Sequence, residues 1–336
     1  ITGNIGRKGV GVNPLRGQNN VQGAADMGCQ PHQGAGYFPV ADKKIQDFYT
    51  EKYGVVHPTK AGLKIPEIFD AAINKEVKAV WIIGEDVVQT DPNSAHVAKA
   101  MNSLDLLVVQ EIFMSETAKH ADVVLPGTTF LEKDGTFTNT ERRVQRVNKA
   151  AEPLPGTKPD GVIVTEMMQK LGYKQPLYNA DEVLAEIADV VPFFKGITRE
   201  RLGKLGLQWP VKEDGTDTKI LHEKEFKLGK GRIKYFDWKE SSEIEQNKKE
   251  YPLILTTSRV LQHYNAATMT RRTNNIELVD EDVLQVHPKD AKDRELNTGD
   301  VARLYSGRGE VSLKVEVTDR VKEGIVFTTF HFPEHM

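Results

Sequence analysis

The sequence predicts an α/β fold, a parallel sheet wound by helical crossovers over roughly residues 19–130, followed by a polar crossing segment and then a small β-barrel. Three observations carry that prediction. Apolar runs of strand length alternate with stretches of helical periodicity in the first part. The pattern turns polar at Asp134. Short β signals separated by Gly-containing turns then fill residues 253–330.

The first helical stretch, Lys64 to Val77, sets Ile65, Ile68, Phe69, Ala72, Ile73 and Val77 on one face. Ala79-Val80-Trp81-Ile82-Ile83 follows as a buried strand and stops at Gly84. A second helix, Ala95 to Leu104, carries Val97, Ala98, Met101 and Leu104 and leads into the strand Leu106-Leu107-Val108-Val109. A short helix from Ser115 and a third apolar run, Val123-Val124-Leu125, complete the series. With only short connections between them, these elements form a parallel sheet. Such sheets bind ligands beyond the carboxyl ends of their strands, which singles out three loops: Gly84-Glu85-Asp86, Gln110-Glu111-Ile112 and Pro126-Gly127-Thr128-Thr129. A glycine after a strand equally serves simple turn chemistry. No strand is followed by Gly-x-Gly-x-x-Gly, so a simple NAD dehydrogenase is disfavoured.

From Asp134 the segment Gly135 to Arg143 reads as extended and polar, with Pro153-Leu154-Pro155 after it, an interdomain crossing. Helices are expected at Asp160 to Leu171 and Ala180 to Val190, the latter introduced by Asn179 and Glu182 at capping-box spacing. Lys239 to Glu250 is a charged, solvated linker. Strands follow at Leu253–Thr257, Val283–Val286, Val301–Tyr305, Val311–Val317 and Ile325–Phe330, with turns at Asn297–Asp300 and Gly307–Gly309. The last run ends close to the terminus, so the barrel is expected to lack a closing segment.

Composition excludes several functions. The 336 residues, 39% hydrophobic and 28% charged, suffice for two or three domains. Lys plus Arg number 45 against 48 Asp plus Glu, without long blocks of either sign, so no nucleic-acid or membrane-surface partner is implied. No apolar run approaches the about 20 residues of a membrane span. The single cysteine, Cys29, excludes an internal disulfide or a cysteine-held cluster or zinc site on this chain alone, and it reads as a small buried hydrophobe. Ile1-Thr2-Gly3-Asn4 shows neither an initiator Met nor a signal peptide, so the sequence is expected to begin mid-protein.

Specific runs carry a family resemblance. Thr2-Gly3-Asn4-Ile5-Gly6 and Gly11-Val12-Asn13-Pro14-Leu15-Arg16-Gly17-Gln18-Asn19-Asn20-Val21-Gln22-Gly23 are similar to the stretch that carries the active-site arginine in molybdenum- and tungsten-dependent formate dehydrogenases. Gly84-Glu85-Asp86 with Gln89-Thr90-Asp91, Val109-Gln110-Glu111-Ile112-Phe113 with Thr117, and Ala121-Asp122-Val123-Val124-Leu125-Pro126 resemble the pterin-binding domain of that family in order and spacing. Glu132, Gly135, Thr138, Asn139, Glu141, Arg142, Arg143 and Gln145 resemble the next segment, and Thr257, Ser258, Arg259 and His263 the entry to its C-terminal double-psi barrel.

The resemblance covers nearly the whole chain and implies four parts. Residues 1–18 are the tail of a preceding α/β domain carrying the active-site arginine. Residues 19–132 form a doubly wound α/β domain for molybdopterin guanine dinucleotide. Residues 133–248 are an interdomain segment with helices, and 249–336 a truncated, double-psi-like barrel that also binds the dinucleotide. It implies oxidation of formate to carbon dioxide at a molybdenum or tungsten bis-molybdopterin guanine dinucleotide centre, with no metal ligand on this chain; the compartment expected is the cytoplasm, with the periplasm as the alternative. Electrons would leave through a 4Fe-4S cluster held by the N-terminal part of the same subunit and pass to an iron–sulfur electron-transfer subunit. The family's cluster cysteines, its cysteine or selenocysteine metal ligand and the adjacent histidine would lie before Ile1, so this piece alone is expected to be inactive.

The catalytic residues so implied are Arg16 and Gln18. A guanidinium offers formate a planar fork for two charge-assisted hydrogen bonds, which a lysine does not reproduce, although an arginine of this kind also pairs readily with a surface carboxylate. Gln18 can orient an oxygen of substrate or pterin, whereas Asn19, Asn20 and Gln22 equally suit a turn. The cofactor-binding set is Gly84, Glu85, Asp86, Gln110, Glu111, Ile112, Thr117, Asp122, Gly127, Thr128, Thr257, Arg259 and His263. Arg259 suits a pyrophosphate, and His263 either contacts the pterin or is a satisfied structural histidine. Three rivals stand beside this reading: another molybdopterin oxidoreductase of nitrate reductase type, a non-catalytic electron-transfer relative such as the large NADH dehydrogenase subunit, and a plain nucleotide-binding module.

Overall fold

A computed structural model describes residues 3–226, 228–229 and 231–335, with His335 described by its backbone only; Ile1 and Thr2, in the first motif, and Met336 lie outside the described residues. The chain divides into two compact units, one of residues up to 85 with 95–231, the other of residues 86–94 with those from 232 onward.

The first unit opens with an exposed segment up to Asn19 and then a short helix, α1 (Val21–Asp26). Two-residue strands β1 (Gln33–Gly34) and β2 (Phe38–Pro39) pair antiparallel. Helix α2 (Lys43–Tyr53) starts at Asp42, whose carboxylate accepts the Lys44 N–H at 2.9 Å, and ends at Gly54 in the left-handed region. None of these elements gave a periodic signal. Helix α3 (Ile65–Ile73) buries Phe69, Ala71 and Ala72 and stops four residues short of the expected Val77. There Lys75 turns to φ 63°, and the amides of Glu76 and Val77 fold back onto the Ala71 carbonyl.

Strands β3 (Ala79–Ile83), β4 (Leu106–Glu111) and β5 (Val123–Pro126) form the expected parallel sheet in that order, with helix α5 (Ser94–Met101) in the first crossover. The register sets Ala79 opposite Leu106 and Val108 opposite Val123. Only the central strand is buried through, at Leu107, Val109 and Gln110. β3 was expected to be buried. It is an edge strand among the described residues, paired on one side only, and Ile83 remains 48% exposed.

The polar segment after Asp134 is extended as expected, and it is a hairpin. β6 (Gly135–Thr138) and β7 (Arg143–Val147) pair antiparallel, and β8 (Leu207–Gln208) adds to β7. Asn139 makes the turn, its side-chain oxygen accepting the amides of Glu141 and Arg143, while Arg142 takes φ 66°. Helices α6 (Asp160–Lys170), α7 (Ala180–Val190) and α8 (Arg199–Leu202) follow, and Asn179 caps α7 by accepting the amides of Asp181 and Glu182. Tyr49, Val144, Leu184, Val190, Val191, Phe194, Ile197, Leu202 and Val211 form the core beneath the hairpin.

The second unit contributes α4 (Val87–Thr90), α9 (Ser242–Asn247) within the charged stretch, and five strands close to those the sequence predicts. They are β9 (Ile254–Ser258), β10 (Val283–Val286), β11 (Val301–Ser306), β12 (Gly309–Val317) and β13 (Ile325–Thr329), with helix α10 (Pro288–Lys292) after β10. Their order is β11-β12-β10-β13-β9, a mixed, open sheet in which β10 runs parallel to β12 and β13 parallel to β9. Leu284, Val286, Ala291, Leu313, Val315 and Val326 form its core. Among the described residues no helix is long and apolar enough to cross a membrane.

Candidate functional site

Arg16 lies on the exposed segment, its N–H donating to the Pro14 carbonyl at 3.0 Å, and Gln18 is equally exposed. Four residues beyond Arg16 the chain is anchored. Asn20 adopts φ 60° and its side-chain oxygen accepts the Thr138 N–H at 2.9 Å, tying the base of the segment to β6. A Cβ on Gly23 would stand 2.0 Å from that same oxygen, so glycine is what lets Asn20 fold back over α1. Asp26 ends α1 fully buried, yet its carboxyl group accepts three hydrogen bonds: from Tyr37 OH at 2.7 Å, Gln22 Nε2 at 2.9 Å and Trp209 Nε1 at 2.9 Å. Burial raises the Asp26 pKa, opposed by these three donors and by the charge of Arg16. Burial and the bond to Asp26 likewise push the Tyr37 phenol upward. Cys29, expected to be buried, is exposed; it lies three residues past the end of α1, its N–H donating to the Ala24 carbonyl at 3.0 Å.

The carboxyl ends of β4 and β5 gather several expected residues. Gly84 turns the chain after β3 at φ 64° and donates to the Gln110 carbonyl at 2.9 Å. Gly127 donates to the Glu111 carbonyl at 3.0 Å, and the Glu111 carboxylate accepts the Ile112 N–H at 2.7 Å. Gln110, 1% exposed, donates through Nε2 to Asp160 Oδ1 at 2.7 Å, while Lys133 pairs with the other Asp160 oxygen and reaches the Thr128 carbonyl at 3.3 Å. Gln110 Oε1 and Thr128 Oγ1 are buried without a partner. Lys133 and Asp160 escaped the sequence reading: Asp160 looks like an ordinary acidic residue in the first turn of α6, and its contact with Gln110 spans 50 positions.

Other expected residues sit elsewhere. Asp122 lies at the amino end of the sheet, where its carboxylate accepts the Leu107 N–H at 2.7 Å, so its geometry is that of strand pairing. Thr117 is fully buried in the short turn between β4 and β5. Asp86 precedes α4 in the second unit, where Gln89 Nε2 donates to the Ala266 carbonyl at 2.6 Å; Glu85 is the last residue of the first unit before it.

In the second unit the parallel pair β13 and β9 ends at Thr329 and Ser258. Thr257 lies on exposed β9, and beyond it Arg259 stacks on Phe330 with its guanidinium carbon 5.1 Å from the ring centroid, donating to Asn265 Oδ1 at 2.7 Å. Both ring nitrogens of His263 have protein partners, Thr270 Oγ1 at 3.0 Å and the Val279 carbonyl at 2.8 Å. Its neighbour His331, unremarked in the sequence, is fully buried, and its Nε2 accepts the Val260 N–H at 3.1 Å. Burial, reinforced by His263, lowers the His331 pKa to about 4. Arg271 stacks over Phe332 and pairs with Glu334, and its Nε is buried without a partner, as is Thr328 Oγ1. Thr328 lies in β13 and Arg271 in the turn between β9 and β10, and a hydroxyl or a cation in such places is too common to single out.

Buried polar atoms left unpaired cost about 1–3 kcal/mol each, a cost that a polar ligand beside them would relieve. Gln110, Thr128, Thr328 and the arginines therefore fit a phosphate-bearing dinucleotide. Among the described residues no group of three His, Cys, Asp or Glu side chains is placed to hold a metal ion.

A parallel sheet with polar loops at the carboxyl ends of its strands is an α/β architecture of the ligand-binding kind. Residues 1–170 match the molybdopterin oxidoreductase family and residues 253–336 the molydopterin dinucleotide binding domain, and the chain belongs to the molybdopterin oxidoreductase family. It is 45% identical over 340 residues to the F420-dependent formate dehydrogenase subunit alpha of Methanocaldococcus jannaschii, covering 99% of this chain and 50% of that protein. It is 43% identical to the F420-dependent formate dehydrogenase 2 subunit alpha of Methanococcus maripaludis, with 99% and 50% covered. The chain thus spans about half the length of these curated relatives. Among solved structures it is similar in fold to acetylene hydratase from Pelobacter acetylenicus, with a TM-score of 0.61, 21% identity, and 86% of this chain and 42% of that one covered.

Proposed function

We propose that this chain is the pterin-dinucleotide-binding portion of a formate dehydrogenase alpha subunit, and that the complete protein oxidises formate to carbon dioxide. The observation that carries the reading is the run Leu15-Arg16-Gly17-Gln18-Asn19-Asn20-Val21-Gln22, in a chain whose relatives bear that name. Formate oxidation releases one proton and two electrons, and a molybdenum or tungsten bis-molybdopterin guanine dinucleotide centre supplies the electron-accepting chemistry.

The residues of this chain bind and orient. Arg16 holds the formate carboxylate through two parallel hydrogen bonds, leaving the C–H bond directed away from the guanidinium, and Gln18 fixes an oxygen beside it. Gln110 Oε1, Thr128 Oγ1 and the backbone of Gly84 and Gly127 receive one part of the dinucleotides. Thr257 and Arg259 receive phosphate in the second unit, with Thr328 and Arg271 beside them, while His263 secures the loop that carries them. In the same reading the open C-terminal sheet is part of a double-psi barrel, and electrons leave through a 4Fe-4S cluster and an iron–sulfur partner subunit.

The test is an assay of the complete subunit with an artificial electron acceptor, with formate and nitrate in parallel and elemental analysis for molybdenum and tungsten. Formate oxidation by metal-loaded protein is expected. Nitrate reduction without formate oxidation would instead favour a nitrate reductase type, and absence of both metals a non-catalytic relative.

A further inference from the structure

The segment from Pro31 to Gly62 encloses a cavity of about 370 Å³ beside α2, and none of its lining residues belongs to the formate or dinucleotide set. Helix α2 supplies one wall with Ile45, Tyr49 and Tyr53, and Pro31, Val40 and Pro58 supply others. The ends of the segment are tied together where the Gly62 N–H donates to the Pro31 carbonyl at 2.7 Å. Tyr49 OH donates to the Ala35 carbonyl at 3.0 Å, joining α2 to a strained turn in which Tyr37 takes φ 63°. Three rings stand against one another here. The His57 imidazole centroid lies 5.1 Å from that of Tyr49 and 6.2 Å from that of Tyr53, and the two tyrosines stack at 6.1 Å.

Two groups stand out in this largely apolar lining. His57 Nε2 is buried without a hydrogen-bond partner. Lys60, three residues on, is exposed, and among the described residues it is the only lysine, arginine or carboxylate that lines the cavity. The volume falls in the range that holds small ligands, roughly 300–1,000 Å³, and about 150 Å³ already admits a single benzene ring. A structural role for His57 needs only its ring. Phenylalanine would keep the contacts with Tyr49 and Tyr53 without burying an unpaired nitrogen, which is costly. The imidazole makes sense if its nitrogen meets a guest. Aromatic walls, one unpaired ring nitrogen and one exposed cation together complement a flat ring system that carries a hydrogen-bonding group and an anionic substituent.

We propose that this cavity is a binding site for a small planar aromatic acid, held by its ring against the Tyr49, Tyr53 and His57 cluster, by a hydrogen bond at His57 Nε2 and by its carboxylate at Lys60. The site is separate from the one assigned to formate and stands independently of that reading.

The experiment uses the complete, cofactor-loaded subunit and isothermal titration calorimetry in excess formate, so that a carboxylate site at Arg16 is already occupied. Indole-3-carboxylate, whose ring N–H can meet His57, is expected to bind with a dissociation constant below about 1 mM. Indole, which lacks the carboxylate, is expected to bind about threefold more weakly, and cyclohexanecarboxylate, which lacks the aromatic ring and its N–H, about tenfold more weakly. His57→Phe is expected to weaken indole-3-carboxylate about fivefold or more. Lys60→Gln, at an exposed position, is expected to abolish the difference between indole-3-carboxylate and indole. A second readout needs no ligand: the urea midpoint of His57→Phe is expected at or above that of wild type, because the unpaired nitrogen is gone. Absence of saturable binding, or binding of indole-3-carboxylate that both variants leave unchanged, would overturn the site. A midpoint of His57→Phe well below wild type would assign the imidazole to the fold and overturn its role in binding.

Discussion

Two pairs of parallel strands in this chain end in the same way and then differ. β4 and β5 in the first unit, and β13 and β9 in the second, each run side by side, and each unit has buried polar atoms without partners: Gln110 Oε1 near the end of β4 and Thr128 Oγ1 just after β5 in one case, Thr328 Oγ1 near the end of β13 and Arg271 Nε in the turn between β9 and β10 in the other. At the first end Lys133 is paired with Asp160, and at the second Arg271 is paired with Glu334, while Arg259 there meets the uncharged Asn265 and the Phe330 ring. The second carries two arginines over aromatic rings, with guanidinium carbons 5.1 and 4.7 Å from the Phe330 and Phe332 centroids, and two histidines with ring centroids 5.3 Å apart. The likeness follows from topology, because parallel strands send their chains out of the sheet at the same edge. The difference is chemical. A neutral set of hydrogen-bonding groups suits the edge of a base or pterin, whereas stacked guanidinium groups suit phosphate.

The comparison sharpens most at Arg259. Replacing it with Ala is expected to lower retention of the pterin dinucleotide in the complete subunit about tenfold or more, the scale of a lost charge-assisted fork, without unfolding the exposed loop it occupies. Pterin fluorescence released on denaturation measures it, and unchanged retention would remove the phosphate role from the second unit.

A smaller effect is expected at the first end. Thr128→Val removes a hydroxyl that has no protein partner, so the cofactor-free protein should be within about 0.5 kcal/mol of wild type or slightly more stable, while cofactor retention falls a few-fold. Denaturant midpoints with and without cofactor decide it. Loss of stability in the cofactor-free state would mean that the hydroxyl serves the fold.

The smallest effect is one of pH. The folded-state pKa of His331 is lowered to about 4 from an ordinary 6.5, so the unfolded chain takes up this proton first as pH falls. The stability contribution is complete above about pH 6.5 and is lost progressively down to about pH 4, on the order of 3 kcal/mol in all. Urea titrations at pH 7 and pH 5 should show the drop, and His331→Gln should flatten it. A wild-type profile flat across that window would show that His331 is not held neutral by burial.

Much of this frame was legible in the sequence. Apolar runs placed β3, β4 and β5 and Gly-containing turns placed the strands of the second unit, although β4 runs on through Gln110 and Glu111, which the sequence assigns to the loop after it. What escaped was long-range. Asp26 with Trp209, Gln110 with Asp160, and β8 joining β7 across some sixty residues leave no local period, because their partners come together only when the chain folds. The strained turn at Tyr37 is also invisible locally, since tyrosine gives no hint of a left-handed backbone. Asp122 shows the converse error: a residue within a resembling motif whose geometry belongs to strand pairing at the other end of the sheet.

The central claim is that Arg16 receives a carboxylate at a cofactor this chain binds, and one measurement reaches it most directly. In the complete subunit, kcat/KM for formate is to be compared between wild type and Arg16→Lys at equal metal and pterin content. Because a point charge replaces a planar fork, kcat/KM is expected to fall about a hundredfold or more while the cofactor is retained. Near wild-type turnover with unchanged formate affinity would contradict the account.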